Sequence, residues 1–325
     1  MGGFQGAGAF VPDVIFKHVP GMAKAAPVPE LDAASLSEET FVNDYVAHSR
    51  PVVIKGAVRH WEAMTKWRDA GYLKSVGSHA GSYWPHERHT SAKRSEPRRQ
   101  TLGLAEAIDL LERADIAAFH TTMPAKLAED LGGFSFLTRR ETPFFYASDR
   151  MIFFKSAGTG WHYHPWDETL MCQIKGTKQI GLLDVRNPLH RHLRHIFFKE
   201  DYYDNPFAFN AIASESLPWQ VASLDAGDSL YIPPHSWHGV IATSDELGVT
   251  VPVTWKSPAP VIVDTIRKMA TGEIDIIGTI PQDYLLSLLA FAREVGAEQE
   301  MKAAWDRCVR EGWVVVGFPE GGPAY

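Results

Sequence analysis

Two hydrophobic rhythms divide the chain. From about residue 142 short apolar runs recur over 144–146, 151–155, 169–174, 179–183, 229–232 and 249–255, punctuated by Gly, Pro and Asp. Runs of that length between turn residues predict the strands of an antiparallel barrel or sandwich. On either side, apolar residues return at helical spacing. Ser35 or Ser37 can cap a helix running through Tyr45, with Glu38 and Glu39 in its first turn, where acids complement the helix dipole. Residues 51–56 (PVVIKG) read as a strand closed by glycine, and a second helical segment follows over 61–70. TLGLAEAIDLLER at 101–113 predicts a further helix behind a Thr able to cap it. After Pro258 helices are predicted over 260–270, 281–295 and 297–311.

These elements predict three parts: an extended lead-in rich in Gly, Ala and Pro over 1–34, a helix-flanked β-barrel unit over 35–258, and a helical C-terminal extension over 259–325. The apolar positions Tyr284, Leu285, Leu288, Leu289 and Phe291 suit either an intramolecular cap or the face of a homodimer.

Composition narrows the class. A chain of 325 residues can bury a substantial core, and 45% hydrophobic with 22% charged residues is ordinary for a globular protein. A net charge of -7 argues against a general nucleic-acid binder, which needs clustered Lys and Arg. The basic run from Arg88 to Arg99 is interrupted by Glu96 and Pro97 and reads as a solvated loop, with a local docking patch as the sharper alternative. Two cysteines, Cys172 and Cys308, imply no disulfide framework. The N-terminus does not read as a secretory leader, and no apolar stretch is long enough to span a bilayer. The expectation is a cytoplasmic protein without membrane contact.

The chemistry concentrates in Trp161-His162-Tyr163-His164-Pro165-Trp166-Asp167-Glu168. On a strand, residues two apart share a face, so His162 and His164 form a ready bidentate grip for a metal ion. A third histidine, His238, follows a strand that ends in Pro233-Pro234, within GDSLYIPPHSWH at 227–238. One histidine among 14 carries little weight. The pair, the proline-anchored third and the adjacent acids together predict a metal site. His190, His192 and His195, spaced among arginines, read as structural. Trp161, Trp166 and Trp237 flank the ligands and can pack the core, wall a pocket or stack on a cation.

His162, His164 and Glu168, followed by Gly227, Pro233 and His238, match the two motifs of the cupin superfamily. With RPVVIKG at 50–56, a Trp-rich helix, CQIKGTK at 172–178 and the 227–238 block, residues 40–256 resemble the JmjC-like cupin-8 family, which contains asparaginyl and other protein hydroxylases. The resemblance implies a double-stranded β-helix (jelly-roll) fold and Fe(II) held by His-x-Asp and a distal His. It also implies 2-oxoglutarate bound by Thr159 and Lys178, the Lys pairing with its distal carboxylate.

One residue departs from that pattern: His164 stands where the family has Asp. Asp167 or Glu168 can restore the carboxylate; strand alternation from His164 favours Glu168, counting back from Gln173 favours Asp167, and Pro165 suggests a bulge. The leading expectation is an Fe(II)- and 2-oxoglutarate-dependent oxygenase acting on a peptide, protein or amino-acid-like substrate. The alternative is a manganese hydrolase of the peptide-arginase type, turning arginine into ornithine and urea, in which a carboxylate acts as base beside a metal-bound water. A non-catalytic metal-binding barrel is the third reading.

Overall fold

A computed structural model describes residues 22–76, 80–85, 98–137, 150–155, 158–162, 164, 167–184, 218–234, 236–256, 259–273, 282–311 and 317–319. Its strands, in chain order, are β1 (Ala26–Pro27), β2 (Glu30–Asp32), β3 (Val52–Lys55), β4 (Gly81–Pro85), β5 (Arg98–Leu102), β6 (Ile116–Thr122) and β7 (Arg150–Phe154). They continue as β8 (Gly158–His162), β9 (Asp167–Lys175), β10 (Lys178–Asp184), β11 (Gln220–Leu224), β12 (Ser229–Ile232), β13 (Ser236–Ala242) and β14 (Gly248–Lys256). The predicted runs from 151 onward coincide with strands, apart from Lys155, one residue past the end of β7; the run at 144–146 lies outside the described residues.

Among the described residues these strands form a five-stranded sheet, β1-β11-β10-β13-β8, and a nine-stranded sheet, β2-β3-β12-β9-β14-β7-β6-β4-β5. The result is the expected mainly β, jelly-roll-like fold with flanking helices, in which the sheets stay distinct rather than closing into one barrel. Residues 26–32, inside the predicted lead-in, add a parallel edge strand to each sheet.

Alternation along the strands sorts the core into two layers. Val53, Met171, Leu230 and Ile232 from the larger sheet meet Ile180, Leu182, Leu224 and Val240 from the smaller one in a buried cluster between the sheets. On the other face of the larger sheet, Leu170, Cys172, Tyr231, Val251 and Val253 pack with Phe41, Trp67, Leu73, Leu104 and Ile108 from the helical segments. Any strand residue is thereby assigned to the inter-sheet space or to the helix-covered face by its parity alone.

The helices begin where local chemistry permits. Ser37 caps the first, accepting the Thr40 amide at 3.1 Å, and the turn continues as a π-helix over Phe41–Val46. The helix expected over 61–70 is two short ones, Ala63–Lys66 and Ala70–Lys74, because Asp69 starts the second by accepting the Gly71 amide. Asp130 ties them together, accepting from Lys66 Nζ, Trp67 Nε1 and Tyr72 Oη at 2.8 Å each. Leu104–Glu112 starts behind Gly103 rather than Thr101, since Thr101 belongs to β5.

The turn before β12 explains part of the second histidine block. Gly227 has φ +101, and a Cβ there would lie 2.6 Å from Arg59 Cγ, so only glycine fits. The buried Asp228 carboxylate accepts the amides of Gly56 and Asp225 at 2.9 and 3.2 Å and pairs with Lys55. The three C-terminal helices, Ala259–Thr271, Gln282–Glu294 and Glu298–Arg310, bury Ile266, Met269, Leu285, Leu288, Leu289 and Trp305 among themselves. Of the positions predicted to seek a cap or a partner, Leu285, Leu288 and Leu289 pack within this unit; the side chains of Tyr284 and Phe291 lie outside the described residues.

Candidate functional site

Neighbouring strands of the smaller sheet bring two of the predicted ligand positions together. β8 and β13 are antiparallel, with His162 and His238 as opposed Cα partners, and opposed positions lie on one face of a ladder. The register slips between His238 and Val240, a bulge of the kind that re-aims residues beside functional sites. His238 is buried, and its Nδ1 lies 2.9 Å from the Ser236 carbonyl oxygen. A carbonyl can only accept, so Nδ1 carries the proton and Nε2 of the neutral ring carries the lone pair. That is the tautomer a metal ligand requires.

The His164 ring lies edge-on to His238, with centroids 5.1 Å apart and an interplanar angle of 82°. Its Nδ1 is 2.8 Å from Thr169 Oγ1, so β9 braces the loop that carries it. Thr169 has the parity of Met171, which places it toward the space between the sheets. Two imidazoles at this spacing are close enough to address one ion. Among the described residues no three His, Cys, Asp or Glu side chains form a complete ligand group, and the side chain of His162 lies outside them. The donors present fit an imidazole-rich metal site in part: two rings in contact, one with its tautomer fixed.

The adjacent acids of β9 separate. Glu168 is fully buried on the helix-covered face, where Tyr231 Oη donates to its Oε2 at 2.5 Å. Tyr231 in turn stacks on Trp255 and meets Phe41 edge-on, so this carboxylate is built into the aromatic core. Asp167 is half-buried and has the parity of Thr169, on the side of β9 that faces the histidines.

Deeper between the sheets, Lys178 opens β10 and is only 4% exposed. Its ammonium donates to Thr250 Oγ1 at 2.5 Å and lies 4.5 Å from the Phe154 ring centroid. Gly248 makes room for that ring, since a Cβ there would fall 2.2 Å from Phe154 Cζ. Among the described residues no carboxylate reaches Lys178, and burial pulls its pKa down to about 7. A buried cation without a counter-ion is costly unless an anion joins it.

A cleft of about 590 Å³ is lined by Asp44, Tyr45, His48, Arg50, Leu182, Gln220 and Ser236 among others. Leu182 is the Cα partner of His238, and Ser236 holds its ring. Thr159 is placed in β8 but its side chain, like that of Trp161, lies outside the described residues, as do Trp166, His190, His192, His195 and the basic run through Pro97. Trp237 is buried.

The sequence matches the Cupin-like domain family over residues 37–259. The chain belongs to that family. Cupin-like membership agrees with the two sheets. The chain is 26% identical over 249 residues to Jumonji C domain-containing protein 5 of Drosophila melanogaster, covering 69% of this chain and 59% of that one. It is 25% identical over 234 residues to Lysine-specific demethylase JMJ30 of Arabidopsis thaliana, covering 67% and 53%. A shorter stretch of 97 residues is 32% identical to the human tRNA wybutosine-synthesizing protein 5, covering 30% of each chain. The cupin-like chain thus spans little more than half the length of the first two relatives.

Sequence reasoning missed Thr169, Thr250 and Tyr231, and used Gln173 only to count register. A signal existed for them: each is a polar side chain inside an otherwise apolar strand, where burial demands a partner.

Proposed function

We propose that this cupin-like protein is an Fe(II)- and 2-oxoglutarate-dependent oxygenase acting on a protein, peptide or amino-acid-like substrate. The observation that carries the reading is Lys178, a buried ammonium with no carboxylate partner among the described residues, on the same inner face as His238. Lys178 stands four residues along β10 from Leu182, the partner of His238, about 13 Å at roughly 3.3 Å per residue. A lysine side chain and a small diacid together suit that gap. Membership of the family and the resemblance to JmjC domain proteins support the same class.

His162, His164 and His238 would hold the metal, with Asp167 rather than Glu168 as the carboxylate on their side of β9. Bound iron and 2-oxoglutarate supply the oxidising chemistry: oxygen is consumed, one atom enters the substrate, and the oxo acid leaves as succinate and carbon dioxide. The protein's own groups then have plain tasks. Ser236 fixes the His238 tautomer, Lys178 would receive the distal carboxylate, and Thr159 is the hydrogen-bond donor to it that the family resemblance implies. The polar cleft beside Ser236 offers Asp44, His48, Arg50 and Gln220 to an amino-acid-like substrate.

A second reading rests on one observation: the His164 ring lies against His238 where an oxygenase of this type would present Asp. Three imidazoles with a nearby acid also suit manganese and a hydrolysis that releases urea from arginine. Protein purified without oxygen and loaded separately with Fe(II) or Mn(II) decides between them. The oxygenase reading expects succinate from 2-oxoglutarate with Fe(II) and a peptide pool. Urea release with Mn(II), and no succinate above a metal-free control, would overturn it.

A further inference from the structure

The lysine between the sheets is held by a directed chain of hydrogen bonds. It starts at the β9–β10 hairpin, whose turn residue Gly176 has φ +77. Gln173 Nε2 donates to the carbonyls of Lys175 and Gly176 at 2.6 and 3.2 Å. Both amide protons are thereby committed to acceptors, which fixes the opposite end of the amide, Oε1, toward β14. Thr250 Oγ1 donates its one proton to Gln173 Oε1 at 2.9 Å. With that proton spent, the hydroxyl faces Lys178 as an acceptor, and Lys178 Nζ donates to it at 2.5 Å. Gln173 and Thr250 are Cα partners across β9 and β14, so the sheet itself sets their meeting. All three side chains are buried, with Met171 Sδ at 3.9 Å and the Phe154 ring as the other neighbours of the ammonium.

We propose that Gln173 and Thr250 are positioning residues for an anion site at Lys178, and that they orient its ammonium toward one carboxylate of a dicarboxylic co-substrate. The proposal rests on the oxygenase reading for the identity of that co-substrate. The direction of the chain matters. Because Thr250 can only accept toward Lys178, it cannot itself donate to an incoming carboxylate, so Lys178 meets the anion as a donor whose direction is already set. Among the described residues the titratable side chains on this inner face, Asp167 of β9 and His238 of β13, stand toward the histidine end, and the ammonium's contacts are Thr250, Met171 and the Phe154 ring. Burial has also lowered its pKa to about 7, so an arriving carboxylate restores the proton the site would otherwise lose near neutrality.

Thr250→Val removes the hydroxyl at nearly constant shape, Thr250→Ser keeps it, and Gln173→Met removes the amide. Binding of 2-oxoglutarate and of pyruvate, which lacks the distal carboxylate, is measured on Mn(II)-loaded protein by calorimetry. The Lys178 titration is followed separately by NMR of 13Cε-lysine in metal-free protein, with a Lys178→Met variant to assign the signal. Thr250→Val and Gln173→Met are expected to weaken 2-oxoglutarate by about tenfold or more, the scale of a lost charge-assisted hydrogen bond, with pyruvate unchanged and Thr250→Ser near wild type. The Lys178 pKa is expected to fall further in Thr250→Val. A merely structural role would lower the melting temperature and leave the ratio of the two affinities and the titration unmoved, which overturns the proposal. Wild-type protein that binds no 2-oxoglutarate, while the Lys178 titration still shifts in Thr250→Val, would uphold the positioning of Lys178 and sink the oxygenase reading instead.

Discussion

Tyr231 donates its phenolic proton to Glu168 on the helix-covered face of β9, while the residue just before Glu168 has the parity of the opposite, histidine-bearing side. One step along a strand separates a carboxylate built into the core from one on the histidine-bearing side, because successive side chains point to opposite faces.

Exchanging these acids has opposite consequences. Glu168→Ala removes the carboxylate to which the Tyr231 hydroxyl donates and is expected to cost about 1–3 kcal/mol of stability, with metal affinity unchanged. Asp167→Ala is expected to lower metal affinity at least tenfold with little loss of stability. Metal content by mass spectrometry and denaturant unfolding read the two effects, and metal loss in Glu168→Ala alone would reverse the assignment.

His238 carries a prediction of its own. His238→Ala removes the ring whose tautomer Ser236 fixes, so bound metal should fall to background while far-ultraviolet circular dichroism stays native. Full metal retention in that variant would place the ion elsewhere.

Lys178 makes stability depend on pH in a defined direction. Its folded pKa of about 7 lies below the ordinary value of 10.5 because burial disfavours the charge. Between those values the unfolded chain binds a proton that the folded chain does not, so unfolding free energy rises with pH across the window. Lys178→Met should remove that contribution and stabilise the protein most near and below pH 7. Chemical denaturation across the window tests it; a slope identical in wild type and variant refutes it. The same variant should lose 2-oxoglutarate binding.

Asp130 acts at the acid end. Burial works to raise its pKa, but hydrogen bonds from Lys66, Trp67 and Tyr72 hold it below the ordinary value of 3.8. A depressed carboxylate contributes stability above its unfolded pKa and loses it as pH falls through the folded value. Asp130→Asn is therefore expected to be destabilised at neutral pH by about 1–3 kcal/mol, from the loss of charge-assisted bonds, and to lose less than wild type on acidification below about pH 4. Urea unfolding of both proteins at neutral and acid pH measures the difference.

Much of the fold was readable because its rules are local. Apolar runs that stop at Gly, Pro or Asp placed β9, β10, β12 and β14, and period 3.6 placed the three C-terminal helices. The strands β4, β5 and β6 were not anticipated, since their side chains take sides only once paired in the sheet. The helix predicted over 61–70 divided because Asp69 competes locally for the backbone, and the Thr101 cap failed because β5 claims that residue.

The same division holds at the candidate site. Sequence by itself determined the donor types: two histidines two residues apart, a third behind a Pro-Pro turn, two adjacent acids and a lysine after a glycine turn. Which of those groups face one another is a property of register between strands far apart in the chain. Pairing of β8 with β13 set His162 opposite His238, pairing of β9 with β12 gave Glu168 to Tyr231, and pairing of β9 with β14 joined Gln173 to Thr250 and so to Lys178. A shift of one residue in any of these ladders would send its side chains to the other face, and no local pattern encodes that choice.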